Sequence, residues 1–390
     1  MEKGVGVICE CNPLHNGHLA LFHRVKKRFP EKPLILVMSG NFVQRGEAAA
    51  VEKYARAEAL VKSGADLVLE IPFPFSALSA ERFAAAGVHI LEKTGLVSHI
   101  AFGCESADEK ELFTAAERLS SPAFQAAFAA ARAADKKTGF PALRERVYTS
   151  LYGENELLRL PNASLALEYL CALKREKSAI EPVSFLRKES KNVASASAIR
   201  LLLKNGDWEA VKPLVPAASF EALSRAKKQE KLILSQDALF PLIGYVFRMK
   251  SKEELASFYG VEAVADRTLA ALNTAKDYGE LCALVATSRH TDSRIRRAFL
   301  AAVAGIPKEA DSVLPEWTLV LAAGKKGRAL LAETRDSSFP VFTKPGHTRR
   351  NSAAKRGYEY ERKIETALFS FLSPARLPLP LTPFVADEKI

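Results

Sequence analysis

Four short apolar runs punctuate the first part of the chain: VGVIC (Val5 to Cys9), LILVM (Leu34 to Met38), LVLEI (Leu67 to Ile71) and HIAFG (His99 to Gly103). Each is continuous rather than alternating and rich in Val, Ile and Leu, the pattern of a strand buried on both faces. Between them, HLALFHRVKKRF, KYARAEALVKSG and AERFAAAGVHILEKTG repeat apolar residues at three- and four-residue spacing, with Gly64 and Gly95 where helices would stop. Strand and helix in alternation predict an α/β fold with a doubly wound parallel sheet. Asp108 to Ala134 is Ala-rich and reads as a helical insertion on that sheet, and EPVSFLRK (Glu181 to Lys188) reads as one further strand. Beyond residue 205 strand patterns fade, and WEAVKPLV, FEALSRAKKQEKLIL and KEELASFYG read as amphipathic helices. The chain is therefore expected to divide into residues 1–205, carrying the sheet, and residues 206–390, a mainly α-helical C-terminal domain. FTKPGHTRRNSAAKRGY (Phe342 to Tyr358) is expected to be a polar loop, and the Pro-rich LPLPLTPF an extended tail.

Composition narrows the class. Apolar residues at 48% and charged residues at 26% fit a soluble globular protein. The opening MEKGVGVICEC is interrupted by Glu10 and lacks the long apolar region of a signal peptide, so a cytoplasmic location and no membrane partner are expected. Five widely spread cysteines (Cys9, Cys11, Cys104, Cys171, Cys282) argue for reduced thiols over a disulfide framework. A formal charge of +11 points to a polyanionic partner, nucleic acid first.

The chemistry concentrates in ECNPLHNGH, Glu10 to His18, the turn between the first strand and the first helix. In open α/β sheets ligands bind where strands end and helix N-termini present unpaired N–H groups to anions. Gly17 lets a backbone approach a phosphate, and His15 and His18 can donate to phosphoryl oxygens while charged near pH 7. The same residues also serve as simple helix caps. Cys9, Cys11, His15 and His18 have residue types that suit zinc, but two cysteines tied to a buried strand end do not converge readily, and no metal site is expected. A second stretch, VASASAIRLLL (Val193 to Leu203), offers hydroxyls, helix N–H groups and Arg200 in one turn. Alone it is a capped amphipathic helix.

Together the two are specific. HNGH matches the HxGH motif of the nucleotidylyltransferases, and SASAIR resembles their later helix start. With VMSGNFVQRGEAA, GADLVLEIPF, SAERFAAAGV, AFGCES, PNASLALEYL, SRIRRAFL and GKKGRALL, nearly the whole chain resembles the bacterial tRNA(Met) cytidine acetate ligases. The resemblance implies a Rossmann-like sheet of the nucleotidylyltransferase type and a reaction in which ATP, with Mg2+ as its companion, and acetate give acetyl adenylate. The acetyl group then passes to the exocyclic amine of the wobble cytidine of elongator tRNA(Met). It places the nucleotide along the first turn: Ile8, Cys9, Glu10 and Cys11; Asn12, Pro13 and Leu14; His15, Asn16, Gly17 and His18; then Leu19, Ala20 and Leu21. Further nucleotide contacts are implied for Gly103, Asn162 and Arg187. His15 and His18 would hold the phosphates, and Ser195, Ser197 and Arg200 the leaving pyrophosphate. The chain departs from the family at Leu14, where Phe is commoner, at Ala48, where Pro usually follows Glu47, and at Ser197, where Thr is common. The Ala-rich FSALSAERF leaves acyl selectivity open.

Gripping RNA requires cations along its backbone. SRHTDSRIRRAF groups Arg289, Arg294, Arg296 and Arg297 against one acid, Asp292. KPGHTRRNSAAKRGYEYERK carries Lys344, Arg349, Arg350, Lys355 and Arg356 beside Tyr358 and Tyr360, a mixture suited to phosphates and stacked bases. The bland alternative is a solvated face, which is how RVKKRF (Arg24 to Phe29) reads. On this division of labour, reversing Arg296 and Arg297 weakens RNA binding and spares acetate activation. The competing activities are adenylyl transfer to a small phosphorylated substrate on the same fold, which needs no basic helical domain, and a tRNA-binding protein whose nucleotide site is regulatory.

Overall fold

A computed structural model describes residues 2–106, 108–135, 138–187, 194–334, 338–373 and 384–385. The predicted strands form one sheet: β1 (Gly4–Cys9), β2 (Leu34–Ser39), β5 (Leu67–Ile71), β6 (Val97–Cys104) and β7 (Glu181–Leu186). All pair in parallel, with β2 and β6 on either side of β1. Chain order reverses between β1 and β6, and that is where a doubly wound sheet opens a crevice at its carboxyl edge. β3 (Phe42–Val43) and β4 (Glu47–Ala48) form a separate antiparallel hairpin that follows β2 at that edge.

The strands are buried throughout because alternate side chains meet helices on opposite faces. Ile8, Ile35, Val37 and Leu69 pack with Phe83, Val88 and Leu91 of α3 (Ala80–Thr94), the opposite face to that of α1 (Asn16–Arg28) and α2 (Lys53–Lys62). There Val5, Val7, Leu36 and Met38 meet Phe22, Val25, Tyr54 and Leu60. Each such buried side chain contributes about 1.5–3 kcal/mol. α3 lies close on β1 at Gly87, where a Cβ would sit 2.7 Å from Ile8. The Ala-rich insertion is two helices, α4 (Glu109–Ser120) and α5 (Pro122–Ala134), broken where Ser121 caps the second and Pro122 opens it. α6 (Phe140–Tyr152) packs on α5, and α7 (Pro161–Glu176) packs on α3 and α4.

Beyond α8 (Ala196–Lys204) the chain is mainly helical, and Ile243, Phe247, Leu281, Ile295 and Phe299 form an apolar cluster that also takes in Phe42, Ala48 and Phe73 of the first half. Two of its segments differ from expectation. TLVLAA forms β8 (Thr318–Ala323), antiparallel to β5, with β9 (Val341–Phe342) and β10 (Phe384–Val385) beside it, so the second half of the chain adds an edge to the sheet of the first. A short Leu/Ala run is indistinguishable by period from buried helix, and this one leads straight into the helix Lys325–Leu331. The expected polar loop becomes helical: a 3-10 turn over Pro345–Arg350, then a helix over Ser352–Ile364 capped by Asn351, whose Tyr358 is buried against Trp317. Lys188, Val193 and most of the Pro-rich tail lie outside the described residues. No described helix is long and apolar enough to cross a membrane.

A buried ionic knot fastens that C-terminal helix to the sheet. Lys53 Nζ sits 2.8 Å from Glu70 of β5, 2.7 Å from Glu361 and 2.9 Å from Glu365. Three carboxylates around one ammonium cannot all ionise in the interior. Burial, together with the neighbouring carboxylates, pushes Glu361 up to about 8 and Glu365 up to about 7. Among the described residues these three acids alone bring His, Cys, Asp or Glu ligand atoms together as a cation would need, and the lysine already occupies the place of that cation.

Candidate active site

The turn after β1 is built from backbone outward. Cys11 adopts φ 48° and Asn12-Pro13 is cis. Cys9, Cys11 and Leu14 bury their side chains in the core, as does Ile8 on the other face, so any ligand here would meet their backbone. Arg56 of α2, itself buried, donates to the carbonyls of Glu10 (2.6 Å), Ser39 (3.1 Å), Val51 (2.9 Å) and Gly40. Asn12 Oδ1 accepts from Ala50 N–H at 2.8 Å, and Glu10 accepts from Gln44 N–H at 2.8 Å. One buried guanidinium and two side chains thus fix the turn. Nothing in KYARAEAL marks Arg56 for that work.

His15 caps α1. Gly17 N–H donates to His15 Nδ1 (3.1 Å), His15 N–H donates to His18 Nδ1 (3.3 Å), and the rings lie 3.9 Å apart. A histidine pair therefore makes the reciprocal capping box usually made by Ser and Glu. Because both Nδ1 atoms accept, each ring carries its proton on Nε2, an assignment that follows from the partners. Neither Nε2 has a protein partner among the described residues. Burial, then the charge of Arg187, lowers His15 to about 4; burial, His15 and Arg187 lower His18 as well. The expectation of charged imidazoles near pH 7 is overturned: these are neutral rings presenting N–H donors. Capping and ligand binding are compatible because they use different ring nitrogens.

Asn16, Gly17, His18, Leu19 and Leu21 are half-buried and Ala20 is exposed, while Asn16 donates to Pro213 O at 2.8 Å. On the other side of the crevice, Arg187 donates to Asn162 Oδ1 (2.8 Å). Glu105 accepts from Asn162 N–H (2.9 Å), Asn162 Nδ2 (2.6 Å) and Ala163 N–H (2.7 Å). This carboxylate at the N-terminus of α7 positions Asn162 and, through it, Arg187. It escaped the sequence reading, where AFGCES carried resemblance alone. A Cβ on Gly103 would find only Phe185 O, at 4.0 Å, so the space above β6 is open.

The later motif folds back onto the turn. Ser195 caps α8, accepting from Ala198 N–H at 3.2 Å, so its geometry is that of a helix cap. Ser197 accepts from Arg45 (3.2 Å) and Arg200 (3.4 Å), and Arg200 donates to Asn12 O at 2.8 Å. The ECNPLHNGH turn and SASAIR, far apart in sequence, are thereby joined by one guanidinium at Asn12 O.

The basic segments separate. Arg289 and Arg294 are half-buried, with no ion pair among the described residues, and burial with mutual repulsion lowers Arg294. Arg296 instead pairs with Glu47 of β4 and with Asp292 (2.6 Å), and Arg297 donates to Gln44 O at 3.2 Å. Their helix, Asp292–Ala304, shares an apolar cluster with Phe42 and Ala48 of the β3–β4 hairpin and touches the hairpin closely; a Cβ on Gly46 (φ 75°) would lie 2.4 Å from Arg297 N. Arg296 and Arg297, expected to face RNA, are instead engaged within the protein, against Glu47 and the Gln44 carbonyl of the β3–β4 hairpin segment. Lys344, Lys355 and Arg356 are exposed, Lys355 lying 4.0 Å from Glu359. Tyr358 and Tyr360 turn inward, Tyr360 donating to Ala304 O at 3.1 Å, and are not free for stacking. The side chains of Arg349 and Arg350 lie outside the described residues. RVKKRF remains a surface face, with Arg24 over the Phe185 ring.

The model of the HIGH nucleotidyl transferase family matches residues 2–376. The tRNA(Met) cytidine acetate ligase of Acetivibrio thermocellus is 31% identical, covering 88% of this chain and 88% of its own, and that of Syntrophotalea carbinolica is 33% identical, covering 85% and 82%. Among solved structures, Thermotoga maritima TmcAL bound with alpha-thio ATP is 28% identical with a TM-score of 0.88, covering 98% of this chain and 100% of that one. Its apo form gives a TM-score of 0.90 over 98% and 99%. Taken with the HNGH turn and the helix that returns to it, these likenesses place the chain in the HIGH nucleotidyl transferase family, among the tRNA(Met) cytidine acetate ligases.

Proposed function

We propose that this protein joins acetate to ATP as acetyl adenylate and transfers the acetyl group to the exocyclic amine of the wobble cytidine of elongator tRNA(Met), giving N4-acetylcytidine. A carboxylate oxygen of acetate attacks the α-phosphorus and pyrophosphate leaves; the cytidine amine then attacks the acyl carbon, AMP leaves, and the amine loses a proton. The observation that carries this reading is the hydrogen bond from Arg200 to Asn12 O, which brings the SASAIR helix onto the HNGH turn at the sheet's switch point.

Charge develops on the bridging and terminal phosphate oxygens during adenylyl transfer, so fixed donors are the catalytic need. His15 and His18 supply neutral Nε2–H donors, the N-terminus of α1 adds the helix dipole, and Arg200 with the Ser197 hydroxyl faces the leaving group. Ser195 holds that helix start in shape. Asn162 and Arg187, set by Glu105, line the far side, and the open space at Gly103 suits the nucleoside. Mg2+ would arrive with ATP, since no carboxylate cluster free of a lysine stands ready for it among the described residues. Arg289, Arg294, Lys344, Lys355 and Arg356, with Arg349 and Arg350, would meet RNA phosphates, in keeping with the net charge of +11. A tRNA substrate puts the work in the cytoplasm.

Incubation with ATP, labelled acetate and an elongator tRNA(Met) transcript tests this. Label should appear in the wobble cytidine with the wild-type chain and not with His18→Ala. Transfer of AMP to a small phosphorylated acceptor, with no acetylated RNA, would overturn the reading.

A further inference from the structure

Glu47 is the acid around which the cations of this site gather. Its side chain, 14% exposed, binds Arg296 through Oε1 and Arg200 through Oε2, the latter at 3.3 Å. Arg45 stands beside them on Ser197 Oγ. Of the partners of Arg200, Asn12 O and Ser197 Oγ are neutral, and Glu47 alone is charged. The carboxylate is not on a loose loop: Glu47 pairs with Val43 in the hairpin, and at Gly46 the hairpin touches the backbone of the Asp292–Ala304 helix with no room for a side chain.

We propose that Glu47 is a positioning residue for adenylyl transfer: it aims Arg200 at the leaving pyrophosphate, and it does so at the expense of ground-state attraction for ATP. The inference rests on the ligase reading above. A carboxylate beside a polyphosphate site repels the ligand, so its presence there makes sense if it serves geometry. Tying one oxygen to Arg200 and the other to Arg296 fixes the guanidinium fork before substrate arrives, which removes the need to organise it during the reaction. The carboxylate also links the basic segment to the leaving-group end, so the helix that carries Arg294 is coupled by Arg296 to the chemistry.

Glu47→Gln keeps the shape and removes the charge. This variant should bind ATP at least as tightly as the wild type by calorimetry, while its acetate-dependent pyrophosphate exchange at saturating ATP falls about tenfold or more. A merely structural defect would weaken both together. On an Arg200→Gln background the same change should cost nothing further, because Glu47 acts through Arg200. ATP affinity falling in step with exchange, unchanged exchange, or losses that multiply in the double variant would each overturn the proposal. Glu47→Asp, which keeps the charge and shortens the reach, should bind ATP like the wild type with slower exchange; it repeats the test if glutamine is not tolerated. Should the wild type bind ATP yet show no acetate-dependent exchange, the ligase reading falls, and the binding arm alone decides: tighter ATP binding by Glu47→Gln upholds the hold of Glu47 on Arg200, and weaker binding refutes it.

Discussion

Arg289 and Arg294 lie next to Arg296 and Arg297 in one basic run, yet the two pairs face different partners. The first pair meets no acid among the described residues and is crowded by its own charge. The second is consumed inside the protein, by Glu47, Asp292 and the Gln44 carbonyl. What separates them is the β3–β4 hairpin, which packs on the helix at Gly46 and brings Glu47 and the Gln44 carbonyl to the second pair. A charge in a basic run is available to a polyanion only where no acid of the same chain has claimed it. On this protein the claimed arginines hold the hairpin segment beside Arg200 and the turn after β1, and the unclaimed ones are those the proposed function leaves for RNA.

The strongest way to break that contrast is to reverse Arg296. Arg296→Glu would set a carboxylate against Glu47 and Asp292, and breaking such a partly buried pair should cost about 3 kcal/mol or more. Thermal melts should show the loss, and exchange measured without RNA should fall with it. Next, His18→Ala removes the proposed phosphate donor and half of the α1 capping box. The exchange rate should drop about 100- to 1,000-fold, in the range of a missing transition-state donor, while RNA binding persists. A smaller effect is expected for Arg294→Glu: RNA-free exchange stays at the wild-type rate, RNA affinity falls, and the salt slope of binding becomes shallower by about one for each RNA phosphate that is no longer neutralised. A variant that lost exchange here would erase the distinction between the pairs.

The smallest effect concerns the knot at Lys53. Glu361 and Glu365 have raised values in the folded chain, about 8 and about 7, so the folded state holds more protons than the unfolded one above the ordinary carboxylate range. Their contribution is complete below that range and is lost as pH rises through 7 and then 8. Melting temperature should therefore decline across that window, and Glu361→Gln should flatten the decline. His15, held near 4, acts in the opposite sense: stability from it is lost as pH falls from its ordinary value toward 4.

The parallel strands were legible because buried β segments write continuous apolar runs, and the HNGH turn because two histidines and a glycine at a strand end are rare company. β8 was not, since TLVLAA carries no period that separates strand from helix. Ser352–Ile364 was hidden by its charge: SAAKRGYEYERKI has a buried stripe of Ala354, Tyr358 and Glu361, and the last of these is a carboxyl whose burial depends on a lysine far away in sequence. The fate of Arg296 was equally unreadable, because the acid that claims it, Glu47, stands 249 positions away in the chain. Glu105 and Glu47 are isolated acids whose meaning appears only when distant segments meet. The turn chemistry was misjudged in one respect, charge, because burial and Arg187 are tertiary facts.

Acetate-dependent exchange of labelled pyrophosphate into ATP, with no RNA present, tests the division between braced and RNA-facing arginines most directly when wild type, Arg294→Glu and Arg296→Gln are compared. Equal exchange by the first two and a marked loss in the third is the predicted result. Absence of acetate-dependent exchange in the wild type, or an equal loss in both variants, would contradict the assignment of acetate activation to a site braced from within and separate from the RNA-facing arginines.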